Sequence, residues 1–112
     1  MIECALIGYG YWGRNVAKAL HDSPHFHLTT IFDNDKQAQD EALQSYAFTP
    51  YANYELILAD SHIQAVFIIT PPHTHFALAE SALKQGKHTF VEKPLTTQST
   101  QAKILYDLAD SH

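Results

Sequence analysis

Residues 8–13 read Gly8-Tyr9-Gly10-Tyr11-Trp12-Gly13 and stand between an apolar run and a helical repeat. Before them, Ile2 to Ile7 is apolar except for Glu3, the pattern of a strand covered on both faces. After them the spacing changes, and Trp12, Val16, Ala19 and Leu20 recur at helical intervals from Tyr11 to His21, until Pro24 stops the helix. A G-x-G-x-x-G at a strand-to-helix junction gives each glycine a task. Gly8 permits the tight turn, Gly10 lets backbone approach a diphosphate with no Cβ in the way, and Gly13 lets the helix pack close to the sheet. The amides of Tyr11 and Trp12 then point at the phosphates from the positive end of the helix dipole.

An acid follows at the spacing such a loop needs. Asp33 closes a second strand read over His27–Asp33, about 20 residues past Gly13. A carboxylate there can accept both hydroxyls of an adenosine ribose, and Asn34 beside it belongs to the same candidate site. It also repels a ribose 2′-phosphate. Two unit charges about 4 Å apart interact by roughly 4 kcal/mol at an intermediate dielectric. The pattern therefore predicts NAD in preference to NADP. The competing role for Asp33 is to cap the next helix, which Asp35 or Asn34 could equally do. Arg14 reads equally as a phosphate contact and as a helix-surface arginine.

The rest of the chain keeps alternating. A helix is expected over Asp35–Tyr46, a short third strand at Ala47–Thr49 before Pro50, and a brief helix over Asn53–Ala59. Ala65–Thr70 reads as a fourth strand, ended by Pro71 and Pro72. A helix from His73 to Gln85 carries Phe76, Ala79 and Leu83 on one face, with Gly86 as its left-handed cap. His88–Glu92 reads as a fifth strand, and Thr96 or Thr97 as the N-cap of a last helix with Ala102, Leu105, Leu108 and Ala109 inward. Short connections imply right-handed crossovers. The expected fold is α/β: a doubly wound parallel sheet of the Rossmann kind, strand order 3-2-1-4-5, with residues 1–112 as one domain.

Composition narrows the functions available. A formal charge of −5, with seven scattered basic residues, argues against nucleic acid. Tyr9, Tyr11 and Trp12 read as loop-shaping residues rather than a stacking platform for bases. No run approaches the roughly 20 apolar residues of a membrane span. The apolar start is short for a signal segment and has no basic leader. The lone Cys4 lies in a strand and reads as an inert buried thiol, so a soluble cytoplasmic protein is expected. His73 and His75 are two apart and share no helix face, and no metal site is expected despite eight histidines.

Two further motifs carry a family resemblance. Thr70-Pro71-Pro72-His73-Thr74-His75 follows the fourth strand, and Glu92-Lys93-Pro94 ends the fifth. With the glycine loop and Asp33, the chain resembles the glucose-fructose oxidoreductase / inositol dehydrogenase family (Gfo/Idh/MocA) along essentially its whole length. The resemblance implies that Thr70 and Pro71 line the dinucleotide near its middle and that His75 stands at the mouth of the following helix. Glu92 and Lys93 would flank the nicotinamide and its ribose, with Pro94 in the motif's frequent cis peptide. Lys93 would be the catalytic residue of this domain, assisting proton removal from the substrate hydroxyl; its competing reading is a surface lysine at a strand end.

The family continues with a further strand and a large sheet domain that holds the substrate, which implies little turnover by this chain alone. The expected activity of the whole is NAD-dependent oxidation of a CH–OH group in a sugar, polyol or nucleotide sugar. Rival readings are a non-catalytic module that senses NAD or coenzyme A, and a remnant without function. A fifth strand left at the sheet edge also predicts weak self-association, because exposed edges recruit other chains.

Overall fold

The computed structural model describes residues 1–92. Lys93, Pro94 and the last helix expected beyond Thr96 lie outside the described residues. β1 (Ile2–Ile7) runs parallel to β2 (Phe26–Phe32) on one side and to β3 (Ala65–Ile68) on the other, and β4 (His88–Val91) adds to β3. The order is β2-β1-β3-β4.

Alternation along β1 decides the layers, because successive side chains in a strand point to opposite faces. Ala5 and Ile7 join Val66 and Ile68 under α3 (Tyr54–Ala59) and α4 (His75–Lys84), packing against Ile57, Leu58, Ala79 and Ala82. Leu6 turns the other way, with Ile31, to Ala17 of α1 (Tyr11–Asp22) and Ala42 of α2 (Lys36–Ser45). Helices thus cover both faces of a parallel sheet, as a near-continuous apolar strand requires. Among the described residues no helix is long and apolar enough to cross a membrane.

The expected third strand is the correction. Ala47–Thr49 does not form a strand, so the described sheet has four strands rather than five in order 3-2-1-4-5. The remaining strands keep the expected order with that one removed. The Thr49 carbonyl accepts from the Thr30 hydroxyl at 3.0 Å, a side-chain contact where a ladder would need an amide. Pro50 has no N–H to continue the pairing.

Helix ends follow local chemistry. The Asp35 side chain accepts from the Ala38 amide at 3.1 Å and caps α2, and the Asn53 side chain accepts from the Leu56 amide at 2.9 Å and caps α3. After α4, Gly86 takes φ +75°, the left-handed turn expected of it. Lys87 then tucks its ammonium inward, donating to the carbonyls of Asp60 at 2.7 Å and Ile63 at 2.5 Å. That tie joins the α3–β3 connection to the start of β4. Burial lowers the Lys87 pKa from its ordinary value.

Cys4 is fully buried between Leu20 and Ala65. Burial, and then the charge of Glu3, push its thiol up to about 12. Only the thiolate is nucleophilic. Iodoacetamide in mildly alkaline buffer is therefore expected to leave the folded chain unmodified and to alkylate Cys4 quickly in guanidinium, read by intact mass. Rapid labelling of the folded chain would contradict this placement.

Candidate functional site

The site is assembled at the C-terminal ends of β1, β2 and β3, where a parallel sheet fed by short loops leaves a crevice. Gly8 leaves β1 with φ +105°, and its amide donates to the Phe32 carbonyl at 2.8 Å. A Cβ built there would stand 2.5 Å from the Ile69 carbonyl oxygen. One at Gly13 would overlap the Gly8 carbonyl oxygen, so helix α1 can meet the turn only through a glycine. Gly10 differs. It is the N-cap of α1, it lines the cleft, and a Cβ on it would meet no protein atom within 4 Å. Protein packing demands Gly8 and Gly13, whereas the space at Gly10 is left to whatever enters the cleft.

Asp33, the first residue past β2, is held from several sides. Its Oδ2 accepts from the Tyr9 amide and its Oδ1 from the Asp35 amide, each at 2.8 Å. Its own amide donates to the Gln39 side chain at 2.7 Å, and Gln39 in turn donates to the Ile31 carbonyl at 2.9 Å. A carboxylate has about four acceptor positions, so two backbone contacts orient it and leave capacity for ligand hydroxyls. Asp35, not Asp33, caps α2.

The cleft has a volume of about 640 Å³. It brings together Gly8, Gly10, Asp33, Asn34, Thr70 and Pro71. Its far wall is Ala52, Asn53, Tyr54 and Glu55, which sequence reasoning did not single out. The sequence predicts a brief helix from Asn53, but only the fold brings the start of that helix into the same cleft as Asp33. Among the described residues no lysine or arginine lines the cleft. Arg14 is engaged elsewhere, its guanidinium 4.6 Å above the Tyr9 ring and paired with Glu41, which holds its pKa up.

Other expected residues stand apart from the cleft wall. Tyr11 and Trp12 are 80% and 58% exposed and their rings meet edge-on. His75 opens α4 but its ring is buried beneath the rim, bonded to the Thr70 carbonyl. Glu92 follows β4, its amide donating to the Ile68 carbonyl at 3.2 Å, and is partly buried. Lys93 lies outside the described residues. No group of three or more His, Cys, Asp or Glu side chains is placed to hold a metal ion among the described residues.

Comparison with known proteins agrees with this geometry. The family model for Gfo/Idh/MocA, described as an oxidoreductase family with an NAD-binding Rossmann fold, matches residues 2–112. The chain belongs to that family. This Gfo/Idh/MocA domain is 32% identical over 108 residues to UDP-N-acetylglucosamine 3-dehydrogenase of Acidithiobacillus ferrooxidans, across 96% of this chain and 33% of that one. Among solved structures it superposes on an NAD-binding protein from Listeria innocua with a TM-score of 0.93 and 32% identity, covering 98% of this chain and 32% of that one. Biliverdin reductase from Synechocystis sp. PCC 6803, solved with biliverdin and NADP+, gives 0.93 at 25% identity, covering 98% and 35%. The Gfo/Idh/MocA domain spans about a third of the length of the curated relatives it matches.

A nicotinamide cofactor, which the family binds, fits the residues present. The open space at Gly10 and the first-turn amides of α1 suit a diphosphate, and the oriented Asp33 carboxylate suits a ribose. Bound there, the cofactor would supply a hydride acceptor in its nicotinamide, and Gly10, the first turn of α1 and Asp33 would hold its diphosphate and ribose.

Proposed function

We propose that this domain holds NAD, in preference to NADP, for a cytoplasmic oxidoreductase that acts on a CH–OH group of a sugar, polyol or nucleotide sugar. The observation that carries the reading is the pinned Asp33 carboxylate beside the open Gly10, in a cleft whose described lining has no cation. A 2′-phosphate would meet Asp33 and Asp35 with nothing among the described lining residues to neutralise it. Solved relatives hold NAD in one case and NADP in others, so the fold itself excludes neither cofactor, and the local charge is what favours NAD here.

The nucleotide-sugar dehydrogenase among the relatives supports the substrate class. Lys93 is the proposed proton acceptor, by its place in the Glu-Lys-Pro motif. Because the chain spans so little of its relatives, turnover by the chain alone is expected to be slight; the sugar-like substrate needs the family's second domain. Titration calorimetry should show NAD binding at least about tenfold more tightly than NADP, a gap of about 1.4 kcal/mol. Equal or reversed affinities would defeat the cofactor preference, and heat on adding coenzyme A with none for NAD would replace the reading with a coenzyme A module.

For partners, the proposal includes weak pairing of two copies through β4, an edge among the described strands that carries the half-exposed Phe90 stacked on Phe67. Sedimentation velocity across a concentration series should show a rising mean mass. A constant monomer mass at high concentration would end that part.

A further inference from the structure

We propose that His75 is a positioning residue for the dinucleotide, acting through the Thr70 carbonyl to set the rim of the cleft. The inference rests on the nucleotide reading above. His75 is the first residue of α4, is 1% exposed, and places Nε2 2.6 Å from the Thr70 oxygen. A carbonyl only accepts, so Nε2 carries the proton in this contact. The buried ring therefore grips the rim peptide from beneath, on the side away from the ligand.

The rest of the rim is wired to the same end. The Thr74 hydroxyl donates to the Pro71 carbonyl at 2.6 Å, and the Thr74 amide donates to that carbonyl at 3.0 Å. With its hydrogen committed, the Thr74 oxygen can only accept from Thr70, 2.6 Å away. The Thr70 hydroxyl thus spends its own hydrogen inward and keeps its lone pairs. Pro71 has no N–H, and the Thr70 carbonyl is held by His75, so the Thr70–Pro71 rim offers an oxygen acceptor and a proline ring. The hydroxyl oxygen and the proline ring suit a ligand hydroxyl. The rim selects the ribose on the nicotinamide side of the loop as its partner, while Asp33 takes the adenosine side.

Position matters here because the next carbonyl, that of Ile69, already abuts Gly8: a Cβ on Gly8 would lie 2.5 Å from it and 3.1 Å from the Thr70 methyl. A rim peptide released from His75 has room to move only toward the cleft or away from the phosphate turn. Either movement misplaces the acceptor, and about 1 Å of misplacement is enough to weaken an oriented complex.

The test uses His75→Leu and His75→Gln in the whole chain, with NAD and AMP as titrants and hydrogen exchange at the Thr74 amide without nucleotide. Leucine removes the donor, and glutamine returns an N–H near Nε2. His75→Leu is expected to weaken NAD about tenfold or more, to leave AMP within about twofold, and to speed Thr74 exchange; His75→Gln is expected to recover most of the NAD affinity. Equal losses for NAD and AMP, or a glutamine variant no better than leucine, would overturn the proposal. Unchanged Thr74 exchange in the leucine variant would overturn it even if the wild-type chain bound neither nucleotide, the result that would sink the nucleotide reading itself.

Discussion

Gly8→Ala should lower the melting temperature by about 12 °C or more, whereas Gly10→Ala, two residues on, should leave it unchanged and weaken nucleotide binding at least about tenfold. At Gly8 two costs add. A backbone at φ +105° suits an L side chain poorly, and the new Cβ would press 2.5 Å from the Ile69 oxygen and 2.8 Å from its carbon. Both are backbone atoms, and β1 and β3 are hydrogen-bonded neighbours, so neither side yields without disturbing the centre of the sheet. Left-handed strain alone costs roughly 1–2 kcal/mol. With the clash, about 3 kcal/mol or more is expected, a large part of a typical stability of about 5–15 kcal/mol. A drop in melting temperature of about 12 °C or more should follow.

Gly10 has φ −82° and ψ −157°, ordinary extended backbone, and its missing Cβ faces no protein atom within 4 Å. Alanine there should fold normally. Its methyl would occupy the space assigned to the diphosphate, and NAD affinity is expected to fall by at least about tenfold. Circular dichroism melts and calorimetry on both variants decide the matter. Wild-type NAD affinity in Gly10→Ala would mean that no phosphate lies against this turn.

Asp33→Asn should carry the second large effect, the loss of the preference for NAD over NADP. The amide keeps the shape of the carboxylate and removes its charge. Repulsion of a 2′-phosphate, worth roughly 4 kcal/mol for unit charges about 4 Å apart at an intermediate dielectric, disappears. NAD at the same time loses the charge that strengthens its ribose hydrogen bonds. The ratio of NADP to NAD affinity should rise by about tenfold or more in calorimetry. Stability should fall modestly, by about 1 kcal/mol, because the asparagine side chain would have one oxygen for the two amides of Tyr9 and Asp35 that Asp33 now satisfies. An unchanged ratio would show that this side chain does not face the adenosine ribose.

Much of this site was legible in the sequence because its signals are local. A glycine loop must follow a strand and open a helix to serve a diphosphate, and both neighbours announce themselves by apolar spacing. Asp33 was legible by its distance from the loop. The doubt over whether it caps a helix was resolved by Asp35, one of two neighbours able to do the same work. Gly86 was legible too, since a glycine after an apolar helical stripe has one common use.

What failed was the third strand. Ala47–Thr49 has strand-like residues, yet pairing depends on a partner's free backbone groups, and Thr30 answered with a hydroxyl instead. The far wall of the cleft, from Ala52 to Glu55, had no signal because nothing near it in the chain refers to Asp33. The inward turn of Lys87 was invisible for the same reason, as its acceptors lie 24 and 27 residues away.

The chain's own order of residues was enough to specify a glycine turn between strand and helix, the acid that comes to its side and the alternating layers, since each arises from contacts within a few residues or from a repeating period. Which carbonyl His75 would take, which way Arg14 would face and how many strands would pair were decided only by folding. Those outcomes depend on groups far apart in sequence competing for the same donors and acceptors, and that competition has no local trace.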